Sequence, residues 1–243
     1  MPRNAILEDL RSSIAHVTGD GRRHGVHPFG LDDIDDHLPG NGLATGALHE
    51  VLGSPDICDD AAATIFIAGI LARMEGPVFW CLRWRDLFTP ALALAGLHPD
   101  RLTIVEPGDD KGALIAMEDC LRVAGVAGVV GEVSKLSTTA SKRLQLAAEG
   151  SGVTAFILRR AAKADALIEG SAAQTRWRVT ASPSADLGIP ALARPRWSVA
   201  LERVRGAEPK SWIVEACDAQ GRLALPAILV DRPDQQEAWR IAV

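Results

Sequence analysis

Short apolar runs recur along the middle of the chain, each bounded by turn signals. Residues 48–52 (LHEVL), 77–83 (PVFWCLR), 101–106 (RLTIVE), 126–133 (VAGVVGEV) and 153–158 (VTAFIL) are rich in Val, Ile, Leu and Phe. Runs of this length between Gly and Pro breaks predict strands buried on both faces. Between them, apolar residues return with helical spacing over about 61–74, 87–95, 111–123 and from Ser137, Thr138 or Thr139 to 148. Those segments predict helices, with Gly96, Gly150 and Gly152 as stops. Strands alternating with helices predict an α/β fold, a mainly parallel sheet with helices on both faces.

The pattern changes near residue 175. Segments 175–180 (TRWRVT), 196–204 (RWSVALERV) and 211–215 (SWIVE) alternate or are rich in β-formers, and Pro183, Gly188, Pro190, Gly206 and Pro209 separate them. They predict antiparallel strands that extend the sheet edge. Residues 224–231 predict one more strand, and 233–243 a short terminal segment. At the other end, Ile6, Leu7, Leu10 and Ile14 share one face of an amphipathic helix over 4–17, and the Gly/His/Arg-rich 18–27 reads as a flexible linker. The expected division is therefore 1–27 (helix and linker) and 28–243 (one domain, with a β-rich extension from about 175).

The chemistry concentrates after the first long strand. A phosphate-binding loop places Gly, four residues, then Gly-Lys-Ser/Thr between a strand and a helix, so that backbone N–H groups and the Lys hold the phosphates. Here Gly53 takes the first position, but Cys58, Asp59 and Asp60 stand where the second Gly, the Lys and the Ser/Thr belong, and Asp56 adds another carboxylate. Like charges about 4 Å apart repel by about 4 kcal/mol at an effective dielectric of about 20. A triphosphate would meet several such repulsions with no Lys to offset them. The expectation is a degenerate phosphate loop that binds no nucleotide cofactor, with Asp59 and Asp60 capping the helix instead.

The lead-in to this loop, FGLDDIDDHLPGNGLATGALHEVLG, resembles that of RecA-type recombinases through Leu31, Ile34, Leu38, Gly40, Gly42, Leu43, Gly46 and Glu50. Downstream, LSTTASKRLQLAAEGSGVTAFILRR, AAQTRWRVTASPS, RPRWSVALERVRG and SWIVEACDA are similar to the ImuA family, RecA-like accessory proteins of bacterial mutagenic translesion synthesis. The likeness covers nearly the whole chain. It implies a RecA-like core and a non-catalytic adaptor. The damaged loop fits, because ImuA proteins generally lack the Gly-Lys-Thr signature. The partners it implies are an ImuB-like inactive Y-family polymerase, an error-prone replicative-type polymerase and RecA. An active ATPase would need the missing Lys and an acidic residue after strand 77–83, where Arg83, Trp84 and Arg85 stand. A cell-division inhibitor of the SulA type is the alternative reading, but such chains are shorter and lack the paired Trp/Arg strands.

Composition narrows the classes further. At 47% hydrophobic, the 243 residues suffice for one full α/β core. Cys58, Cys81, Cys120 and Cys217 have no metal-like spacing, and His24 and His27 lack a third ligand, so no metal is expected. Glu132, at the end of an apolar strand, is a candidate magnesium ligand, yet magnesium normally needs phosphate partners. Scattered cysteines without a signal peptide point to the cytoplasm, and no apolar run reaches membrane-span length. Residues 1–150 hold 13 Lys and Arg against 21 Asp and Glu, whereas 151–243 hold 13 against 10. An anionic partner would therefore dock on the second half. Arg176, Trp177, Arg178, Arg196, Trp197, Arg203 and Arg205 are the candidates for contact with a protein partner or single-stranded DNA. The competing reading puts both Trp in the core and the arginines in water.

Overall fold

The computed structural model describes residues 24–160, 170–185 and 193–226. The expected helix at 4–17 and the terminal segment at 233–243 lie outside them, as does most of the expected strand at 224–231.

In chain order the described elements are β1 (Val26–His27), α1 (Asp32–Asp35), β2 (Leu43–Ala44), β3 (Leu48–Leu52), α2 (Ile57–Ala72), β4 (Val78–Cys81), α3 (Thr89–Leu94), β5 (Leu102–Val105), α4 (Asp110–Cys120), β6 (Gly128–Glu132), α5 (Thr138–Ser151), β7 (Thr154–Arg159), β8 (Thr175–Ser182), β9 (Arg196–Val204) and β10 (Lys210–Glu215). One eight-stranded sheet runs β10-β9-β8-β3-β7-β6-β4-β5. Pairing is parallel from β8 through β3, β7, β6 and β4 to β5, and antiparallel from β8 through β9 to β10. This is the predicted parallel core with an antiparallel extension. Ala224 makes an isolated antiparallel bridge with Glu215.

β3, β6 and β7 are buried along their whole length because both faces are covered. In β7, Ala155 and Ile157 join one apolar cluster with Ala113, Met117 and Leu144 of α4 and α5. Phe156 and Leu158 join the other, with Phe66, Ile67 and Leu71 of α2. That alternation follows from the two-residue period of a strand. A fully buried Leu, Ile or Phe is worth about 1.5–3 kcal/mol, so two such layers make the strand positions costly to shift.

The turn between α1 and β2 explains its glycines. Gly40 and Asn41 adopt φ of 82° and 63°, where Gly and Asn are tolerated best. The Asp35 carboxylate accepts from the backbone of Phe29 and Gly30 at 2.7 and 2.8 Å, fixing the segment before α1. Residues 24–27, read from the sequence as linker, make defined contacts. Val26 and His27 pair with Ala44 and Leu43, and His24 Nε2 bonds the Glu149 carbonyl at 2.6 Å.

Candidate functional site

The loop after β3 differs from the expectation in its cap. The helix starts at Ile57, four residues earlier than its apolar spacing indicated, and Asp56 is the N-cap, accepting from Cys58 N at 2.8 Å. Asp59 and Asp60 sit in the first turn and do other work. Asp59 accepts from Ser54 Oγ at 2.5 Å and from the Ala181 backbone N–H at 2.6 Å, which ties α2 to the end of β8. Asp60 is buried behind Gly53, where an added Cβ would lie 2.9 Å from the Asp60 Cα. Gly53 is therefore required by close approach of the helix.

Several of the loop's backbone donors are used within the chain. Gly53 N donates to the Arg159 carbonyl, Asp56 N to Ser54 Oγ, and the N–H groups of Asp59 and Asp60 to the Asp56 carbonyl. Asp56 is the chain's own anion at the helix start, where the dipole favours negative charge. The nearby Asp56 carboxylate also pushes the exposed Cys58 thiol up from its ordinary range. These residues do not fit an ATP phosphate.

Beside the loop, one cation and three carboxylates come together among the described residues. Arg160, just after β7, bonds Asp86 at 2.7 Å and lies 3.5 Å from Glu132 and 3.8 Å from Asp60. Glu132 also accepts from the Trp80 indole at 2.9 Å and is buried, so both oxygens face protein donors. Burial pushes the Glu132 carboxyl up, an effect that Trp80 and Arg160 partly offset. The bond to Arg160 holds Asp86 below its ordinary range. Asp86 lies in the loop before α3, which begins at Thr89, two residues later than its apolar spacing indicated, and has no side-chain cap. Above this cluster lies a cavity of about 330 Å³, walled by Ile57, Ile65, Leu87, Phe88 and Leu92. Sequence reading missed Arg160, because an arginine after a strand carries no signal until its partners are known.

The seven C-terminal candidates do not form one surface. Trp177 is fully buried against Phe29, Phe66 and Trp212 at centroid distances of 5.4, 5.9 and 6.3 Å. Trp197 is buried as well, so neither ring is free to stack on a base. Arg176 is buried in an ion pair with Glu50 at 3.1 Å. Arg178 bonds Glu202 at 2.5 Å and the Gly53 carbonyl at 3.1 Å. Arg203 donates to the carbonyls of Ser171 and Ala173, and burial lowers its pKa. Arg205 donates to the Ala172 carbonyl yet stays exposed, and Arg196 is half-buried. Alternation in β8 and β9 did predict two faces. It could not say that α1 and α2 would cover one of them.

Among the described residues, no helix is long and apolar enough to cross a membrane, and no three His, Cys, Asp or Glu side chains are grouped to hold a metal. No protein-family model matches the chain. The crystal structure of the RadB recombinase aligns with a TM-score of 0.61, covering 83% of this chain and 100% of that one. At 14% identity that likeness speaks for the fold alone, and it makes the core RecA-like. Protein ImuA from each of two strains of Caulobacter vibrioides is 39% identical over 209 residues, 80% of this chain and 84% of the relative. On that extent of identity, carried by a RecA-like sheet, this chain belongs to the ImuA family.

Proposed function

We propose that this protein is a non-catalytic accessory of error-prone translesion DNA synthesis that acts through protein partners and uses no nucleotide. The observation that carries the reading is the Asp56 carboxylate on Cys58 N, the chain's own anion at the start of α2. Asp59 and Asp60 follow it, and no Lys stands in the loop. The strand at Val78–Cys81 likewise leads to Arg83, whose charge is paired with Asp110 at 2.6 Å, and not to an acidic residue poised over a phosphate.

Membership of the ImuA family supports this over a SulA-type inhibitor. It also supports the expected partners: an ImuB-like inactive Y-family polymerase, an error-prone replicative-type polymerase and RecA. With both tryptophans enclosed, contact with single-stranded DNA would fall to the exposed Arg205 and the half-buried Arg196.

Calorimetry with ATP and magnesium tests the nucleotide half. No heat of binding is expected, and a micromolar dissociation constant would overturn it. A pull-down from damage-induced cells tests the partner half. Recovery of a Y-family polymerase-like protein is expected, and its reproducible absence would count against the adaptor role.

A further inference from the structure

The cavity beside α2 has two kinds of wall. Ile57, Ile65, Leu87, Phe88 and Leu92 make it mostly apolar, and Asp60, Asp86, Glu132 and Arg160 charge its floor. At its rim Ile57 is 79% exposed and Phe88 68% exposed. Single exposed apolar residues are ordinary, but two large ones beside one concave space mark a binding site. The volume of about 330 Å³ is at the small end for such sites, enough for a side chain or two and their backbone.

Charge then says what kind of occupant fits. Among the described residues three carboxylates surround one guanidinium, and Asp56 and Asp59 stand at the start of the helix that carries Ile57. An apolar cavity under a negative field repels phosphate and attracts cations. Asp86 is the reachable member, its side chain 50% exposed, whereas Glu132 is enclosed.

We propose that this cavity docks a linear segment of a partner protein in which a large apolar side chain is followed by a basic one. The apolar side chain enters between Ile57 and Phe88, and the basic group meets Asp86 at the mouth. The inference rests on the reading that no nucleotide takes this space.

The probe is a random linear peptide library displayed on phage and selected against the full chain. Enriched sequences should pair Leu, Ile, Phe or Trp with a following Lys or Arg. The strongest, made as a fluorescent peptide, should lose about tenfold or more in affinity against Ile57→Ser and against Phe88→Ser, as large apolar anchors do. Both positions are exposed, and circular dichroism checks that each variant folds. Leu146→Ser, exposed on α5 away from the cavity, should bind like the parent. Failure to enrich, an acidic consensus, or peptides whose binding survives Phe88→Ser would overturn the proposal. Heat from ATP in the calorimeter would remove its premise, whereas peptide failure without ATP binding would remove this inference alone.

Discussion

Lowering the pH from 7 towards 4 should destabilise the fold through one buried imidazole, His49. Its Nε2 lies 2.8 Å from the Ala44 carbonyl, which can only accept, so Nε2 carries the proton. Its Nδ1 lies 2.7 Å from Thr175 Oγ1, which already accepts from the Trp177 indole at 2.7 Å. The Thr175 hydroxyl therefore donates to Nδ1, and the neutral ring is fully satisfied. A second proton would set two donors against each other in a site with no solvent access. Burial lowers the His49 pKa from 6.5 to about 4, although the Ala44 bond acts the other way. Between those values the unfolded chain binds the proton and the folded chain does not. Stability is therefore whole above pH 6.5 and falls as the pH drops towards 4. By pH 4.5 the loss from this one group is on the order of 2–3 kcal/mol. Urea unfolding at pH 7 and pH 4.5, in the parent and in His49→Gln, measures it. Carboxylates, and His27 with its own lowered pKa, titrate in both proteins, so only the difference between their losses counts. Equal losses would refute the reasoning.

The other expectations concern the loop and the core. Asp56→Ala removes the cap of α2 and should lower stability by about 0.5–2 kcal/mol in denaturant titration. Asp59→Lys restores the missing cation but breaks the bonds to Ser54 and Ala181, so the variant should be less stable than the parent and release no phosphate from ATP in a colorimetric assay. Trp177→Ala empties the centre of the aromatic cluster and should cost about 3–5 kcal/mol, read as a fall in the urea midpoint. Glu50→Gln removes the negative charge from the buried pair with Arg176 and should lower the urea midpoint in the same measurement.

Most of the architecture was legible because apolar periodicity is a local property. The strand at 48–52 and the strand at 196–204 were placed to the residue, and Ser137, one of the three expected starts of α5, is its N-cap. The start of α2 was missed because Ile57 and Cys58 face outward and break the apolar spacing, although Asp56 is an ordinary cap residue. The residues of the loop after β3 were legible, but not what Asp59 touches, since only the fold brings Ala181 to it. The Trp/Arg strands show the opposite limit. Charge and aromatic content suggested a surface, whereas burial put both indoles inside and set most of the guanidinium groups on carbonyls and carboxylates that no spacing rule reveals.

The sheet order also governs when the molecule can exist as it is made. β3 lies near the middle of the sheet, yet both of its neighbours, β7 and β8, come much later in the chain, and His49 faces Thr175 across 126 positions. A ribosome that has delivered β3 through β6 has supplied neither native edge partner for β3. β3 must wait, with both edges open, until Ala155 and then Thr175 arrive. Pairings of such long range fold slowly, and open apolar edges invite wrong partners. Synthesis of this chain thus has a late commitment point at β8, and an interruption before it yields a fragment with an unclosed core.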